Sequence, residues 1–240
     1  MHNRTRRSRT TALTTLSPLA KEVRKVSVEF LSHNPHSPFL IADLCVGLFE
    51  SLDAFYDQNP PPCELACGPG CSFCCYNQVR ATLPEIVTIV RYIQKTTSEF
   101  ERQLLSQNIQ RHNQRIRGIS DLDIPRDLPC VFLKKSRCSI YEVRPFACRA
   151  WHALNRSDCL RAFEEKNPLA PVEQYPARRQ AALDFVCGLT RALDHVRLPS
   201  GDIILPLGIE AVLPFSLDHL EPGWLPLFQI HKPGNFPNTA

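Results

Sequence analysis

Apolar residues recur at helical spacing through most of this chain, and the stretches between them are rich in proline and cysteine. Between Leu19 and Ser32, Val23, Val26 and Phe30 fall on one face and predict a short amphipathic helix with that face turned to a core. A stronger stripe follows at Ile41, Leu44, Cys45, Leu48, Leu52 and Phe55, with Ser37 and Pro38 supplying a start. Cys45 lies on that stripe and reads as a small buried hydrophobe, not a ligand. Prolines at 60–62 end the helix.

Pro84 opens a long helix whose apolar face is Ile86, Ile89, Val90, Ile93, Phe100 and Leu104. Its later part, Glu99 to Arg117, is mostly polar, and the pattern leaves open a solvated extension or a break into two helices. Gly118 to Pro129 reads as a loop and Cys130 to Leu133 as a short extended segment. Ser157 and Asp158 begin a short helix through Leu160 and Phe163. The last clear helix spans Ala177 to Val196, with a core stripe of Ala182, Phe185, Val186, Leu189 and Leu193 and with Cys187 beside it. Ile203 to Leu213 is a further apolar patch. The expected fold class is mainly α: an irregular helical domain with a cysteine-rich metal-binding centre and little or no β-structure. The expected organisation is a disordered basic arm at 1–18, a single helical domain at 19–200 with its core motif at 63–160, and a proline-rich C-terminal segment at 201–240 packed on the domain or partly disordered.

The chain has 240 residues, 43% hydrophobic and 22% charged, which is enough to bury a core without metal staples. No stretch approaches the length of a membrane span, and the residues after the N-terminal arginines lack the apolar core of an export signal. The eleven cysteines are therefore read against a reducing, cytoplasmic compartment, where clustered thiols mark metal and not disulfides. The net charge of +4 owes much to Arg4, Arg6, Arg7 and Arg9. Nucleic-acid binding through that arm ranks below a plain solvated tail.

Four thiols crowd into CGPGCSFCC, at Cys67, Cys71, Cys74 and Cys75. Thiolates select zinc, copper(I) or iron–sulfur centres. Gly68, Pro69 and Gly70 shape a tight turn between the first two. Adjacent side chains diverge along a strand or around a helix, so Cys74 and Cys75 imply two centres, one multinuclear cluster, or one ion with a spare thiol. A second patch holds Cys130, Cys138 and Cys148, and Cys159 lies eleven residues further on. Eight sulfurs suffice for two four-coordinate sites or for a cluster with supporting ligands. Arg144, Arg149 and also Arg80 are placed in sequence to offset thiolate charge, and His152 is the best non-cysteine candidate ligand. Cys63 and Cys187 stay outside the ligand set.

The block Cys67 to Cys75, the segment Pro129 to Leu133, and the element Cys138-Ser-Ile-Tyr141-Glu-Val-Arg144-Pro145-Phe-Ala-Cys148-Arg149 together resemble the zinc- or iron-chelating domain family named for its CxxCxxCC cluster. The resemblance covers roughly residues 63–160 and implies a zinc or iron centre, with an iron–sulfur cluster among the alternatives. One branch that resembles it, the flagellin lysine N-methylases, joins such a cluster to S-adenosylmethionine-dependent methyl transfer. The leading reading is thus an intracellular metal-binding protein, with a protein partner or substrate left open. The alternatives are a cluster-assisted protein lysine methylase or redox enzyme, and a zinc-stabilised nucleic-acid-binding module.

Overall fold

The computed structural model describes residues 16–119, 125, 127–167, 169–215 and 217. The first helix, α1 (Pro18–Leu31), starts where Ser17 Oγ accepts the Ala20 N–H at 3.0 Å. Its buried face is Ala20, Val23, Ser27 and Leu31, not the expected stripe: Val26 and Phe30 are 45% and 40% exposed. The reason is the neighbour. The long helix α7 (Pro176–His195) approaches α1 so closely that a Cβ on Gly188 would lie 2.6 Å from Ala20 O and 2.7 Å from Val23 Cβ. Small residues win the contact face because backbone proximity is worth more there than two larger side chains on the far side.

The second helix, α2 (Pro38–Gln58), is capped by Ser37 as expected and buries Ile41, Leu44, Cys45, Leu48 and Leu52, with Phe55 half-buried. Of the two readings left open after Pro84, the structure takes the break into two helices. α3 (Leu83–Thr96) ends where Thr97 turns extended, and α4 (Glu99–Ile116) starts afresh at Ser98. Ser98 Oγ accepts the Glu101 N–H, and the Glu101 carboxylate accepts the Ser98 N–H at 2.8 Å. The new direction presents Leu105, Ile109 and Ile116 to the interior, which leaves Phe100 and Leu104, expected in the core, 69% and 45% exposed.

Residues 202–213, assigned from sequence to the C-terminal segment, join the helical body. Strand β1 (Arg80–Thr82) pairs antiparallel with β4 (Asp202–Ile204), Arg80 opposite Ile204, and Arg80 Nε donates to Asp202 Oδ1 at 2.7 Å. Helix α8 (Leu205–Val212) then packs against α3 and α4, burying Leu205, Ile209 and Val212. Cys130 to Leu133 is a turn and not an extended segment. It leads into a two-residue hairpin of β2 (Leu133–Lys134) and β3 (Arg137–Cys138), closed by Lys135 and Ser136 at φ 48° and 58°. Both corner residues occupy the left-handed region that a tight hairpin turn demands, without the glycine or asparagine that normally signals it. The short helix after Ala153 begins at Asn155, whose Oδ1 accepts the Ser157 N–H at 3.0 Å, so α6 is Arg156–Glu164 and Ser157 lies inside it. The N-terminal arm to residue 15, most of the 118–129 loop's centre (120–124 and 126), and residues 218–240 lie outside the described residues.

At the middle of the main core sits Phe146, the first residue of α5 (Phe146–Ala150), with its ring 4.8 Å from Phe49 and 6.1 Å from Phe185. Its backbone is held by Glu85. One carboxylate oxygen of Glu85 accepts the Thr82 N–H and hydroxyl, each at 2.7 Å, and the other accepts the Phe146 N–H at 2.8 Å. A buried carboxylate is thereby shared by the N-termini of α3 and α5, where helix dipoles favour negative charge. Burial still outweighs these hydrogen bonds and raises the Glu85 pKa above its ordinary value.

Three substitutions read this architecture. Gly188→Ala forces α1 and α7 apart and costs about 1–3 kcal/mol in urea unfolding, whereas Gly47→Ala, on an exposed turn of α2 with open space at its Cβ, stabilises by about 0.5–1 kcal/mol. Glu85→Ala strands the Thr82 and Phe146 donors and costs about 2–4 kcal/mol by the same assay, together with faster alkylation of Cys148, which α5 carries.

Candidate metal centre

Each cysteine block is shaped by local structure before it meets the other. Gly70 adopts φ 86°, a conformation strained for other residues, and the Cys71 N–H closes a turn on Gly68 O at 3.0 Å. The chain then makes a single 3-10 turn, Phe73–Tyr76, which carries both Cys74 and Cys75. Here the expected divergence of adjacent thiols is not what the structure shows: the Cys74 and Cys75 side chains are hydrogen-bonded to each other. The tight turn brings the two sulfurs together.

The second block is docked on the first through backbone. Cys130 N–H donates to Cys75 O at 2.7 Å, and Leu133 N–H donates back to Cys130 O at 2.9 Å. The β2–β3 hairpin folds Cys138 over this turn, with Leu133 opposite Cys138 in register. Cys148 arrives on α5. Cys75, Cys130, Cys138 and Cys148 lie within electrostatic reach of one another in every pairing. Cys67, Cys71 and Cys159 likewise act on one another, and Cys74 acts on Cys67 on one side and on Cys75 and Cys148 on the other. All eight sequence-derived ligand candidates are therefore in one region. Among the described residues, no three His, Cys, Asp or Glu side chains stand as a closed set ready to clasp an ion. The remaining three cysteines are elsewhere: Cys45 is buried in the core, Cys63 is exposed, and Cys187 is half-buried on α7 beside Asp184 and Arg191.

The electrostatics describe a cluster of acids with too little positive charge. Burial pushes the Cys130 thiol up to about 12 and Cys159 to about 11, each reinforced by neighbouring sulfurs, and it raises Cys148 as well. Cys75 is the exception, lowered to about 7 because the Cys74 thiol donates to its thiolate, while Cys74 itself is pushed up as the second acid of that pair. Such a group gives up its protons readily only to a cation. Of the arginines flagged from sequence, Arg144 acts on Cys138 and Cys148 and lies 3.8 Å over the Tyr141 ring. Arg149 is placed differently. Its buried guanidinium pairs with Asp53 of α2, donates to the carbonyls of Arg144 and Glu142, and covers the Phe49 ring at 4.4 Å, so it fastens the Cys148 helix to the core. Arg80 is engaged with Asp202.

His152 has both ring nitrogens committed to backbone. Nδ1 donates to Ala150 O at 2.8 Å, and Nε2 accepts the Tyr175 N–H at 2.8 Å, which identifies the Nδ1-H tautomer and leaves neither nitrogen for a metal. It anchors the loop before α7 beneath the first cysteine block, where Ala66 N–H also donates to Ala153 O at 2.9 Å. Two contributors had no signal of their own in the cysteine pattern. Glu85 was legible only as the last residue of a T-x-x-E capping box, Thr82 to Glu85. Arg178, from α7, acts on Cys67 and stacks 3.6 Å over the Tyr56 ring, far in sequence from either block.

Burial lowers the His152 pKa, so the folded protein keeps the ring neutral while the unfolded chain protonates it below about 6.5. The stability it contributes is complete above that value and is lost as pH falls towards the lowered folded value. In metal-free protein the urea midpoint should fall from pH 7.5 to 5, and His152→Gln should flatten that slope. A residual slope from His112, also lowered by burial, should remain.

No curated protein and no solved structure matches this chain. The family comparison covers the segment that builds the sulfur array, Cys159 included, and extends past residue 160 to take in all of α6. The resemblance carried by the cysteine motifs is thereby confirmed over residues 66–172, which match the model of the CxxCxxCC family, described as "Putative zinc- or iron-chelating domain".

Proposed function

We propose that this chain is a metal-binding protein that holds zinc or iron through Cys67, Cys71, Cys74, Cys75, Cys130, Cys138, Cys148 and Cys159. The observation that carries the reading is the convergence of two cysteine blocks, more than fifty residues apart in sequence, on a backbone hydrogen bond between Cys130 and Cys75. Eight clustered sulfurs form a donor set that suits a soft divalent ion or an iron–sulfur cluster and suits magnesium or calcium poorly. All eleven cysteines are free thiols, which fits a reducing compartment such as the cytoplasm. No helix of the described residues is long and apolar enough to cross a membrane.

Anaerobic purification from iron- and zinc-replete cells followed by elemental analysis tests the proposal. Stoichiometric metal is expected, and Cys130→Ser with Cys138→Ser should lower it. An iron–sulfur centre would show a brown colour bleached by dithionite and acid-labile sulfide, whereas zinc would leave the protein colourless. Protein that is folded and metal-free after reconstitution with either metal would refute the proposal.

A further inference from the structure

The eight thiols are not distributed evenly, and the two parts of the fold that carry them are attached by different means. Cys75, Cys130, Cys138 and Cys148 are set by the Cys130–Cys75 backbone bond, the β2–β3 hairpin and the Glu85 hold on α5, all of which belong to the main core. Cys67, Cys71 and Cys159 depend on other contacts. The loop bearing Cys67 is fixed by Ala66 to Ala153 backbone pairing, and α6, bearing Cys159, docks on the 3-10 turn through Phe163, whose ring lies 5.6 Å from Phe73 and 4.8 Å from Tyr76. Cys74 and Cys159 open onto one recess, walled by Phe73, Tyr76, Trp151 and Phe163.

Counter-charge follows the same division, and exposure does not. By exposure the two groups differ little: Cys67 is exposed and Cys159 buried in the second group, and the other six thiols are half-buried. Each group also has its own arginine. Arg144 acts on Cys138 and Cys148, and Arg178 acts on Cys67. The Nε of Arg178 is buried without a hydrogen-bond partner among the described residues. A tetrahedral ion takes four sulfurs, so eight divide as four and four, and the Cys74–Cys75 pair marks the boundary.

We infer that the chain carries two separate soft-metal sites: an inner site of Cys75, Cys130, Cys138 and Cys148 built into the core, and an outer, exchangeable site of Cys67, Cys71, Cys74 and Cys159 at the aromatic recess. The inference rests on the metal-binding reading above and adds the partition of ligands and the difference in how each set is attached to the core. The inner ion closes the hairpin and α5 onto the 3-10 turn. The outer ion is the one that a competing thiol ligand or chelator in solvent reaches first, because its loop and α6 can open without disturbing the main core.

The test is a cobalt(II) titration of the full chain, reduced and stripped of metal, followed by the thiolate-to-cobalt charge-transfer and visible bands and then by release to excess EDTA. The wild type should saturate at two equivalents and release cobalt in two phases of equal amplitude, separated by about tenfold or more in rate, because the inner ligands are held by the main core and open only with it. Cys67→Ser with Cys71→Ser should keep one equivalent and only the slow phase, with an unchanged circular dichroism spectrum. Cys130→Ser with Cys138→Ser should keep the fast phase. If that inner variant does not fold, the outer variant decides alone. Saturation at any other stoichiometry, single-phase release, or loss of all cobalt in the outer variant would overturn the partition. A wild type that binds no cobalt and no zinc would instead sink the metal-binding reading itself.

Discussion

The carboxylate of Glu85 joins what would otherwise be two unrelated pieces of chain. It is buried, it completes the first turn of α3 through Thr82, and it holds the Phe146 N–H at the start of α5. A charged group in that position is costly, which its raised pKa records, and it is retained because three donors and two helix N-termini converge on it. Everything placed by α5 follows: Phe146 at the centre of the core, Arg149 reaching Asp53 on α2, and Cys148 facing the first cysteine block. The sulfur array is therefore positioned by a hydrogen-bonded core and not by the thiols alone.

That division of labour resolves a tension in the chemistry. Thiols gathered without cations repel each other's ionisation, and burial adds to the effect at Cys130, Cys148 and Cys159. A scaffold that depended on the thiols for its geometry would relax by moving them apart. Here the backbone bond from Cys130 to Cys75, the hairpin and the Glu85 junction keep them close regardless. The side chains have still to close on an ion, since no ready-made set of three ligands stands among the described residues. Metal affinity and fold stability are coupled through that last rearrangement.

His152 and Arg149 show how sequence neighbourhood misleads. Both lie within four residues of Cys148, and both look like partners of the sulfurs. Their polar atoms are used elsewhere, by the Ala150 carbonyl and Tyr175 amide in one case and by Asp53 and two carbonyls in the other. Arg178, with no nearby cysteine in sequence, acts on Cys67 instead. Distance along the chain is a poor guide to electrostatic neighbours once helices have packed.

By itself the sequence determined the mainly helical class, the α2 and α7 spans to within a residue or a few at each end, the burial of Cys45, and the family resemblance of the cysteine segment. These are local properties: stripes of apolar residues at helical period, caps and prolines at their ends, and thiols at close spacing. Tertiary structure decided which faces are buried, because α1 turns Ala20 and Val23 to Gly188 and leaves Val26 and Phe30 outside. It decided that α3 and α4 part at Ser98, where a capping box outweighs the continuing apolar period, and that Phe100 and Leu104 face solvent. It also joined β1 to β4 across some 120 residues of chain and turned Cys74 and Cys75 to one another within a 3-10 turn. Those outcomes depend on how closely two backbones approach and on which distant donor meets which acceptor, and neither quantity is written in the period of a single segment.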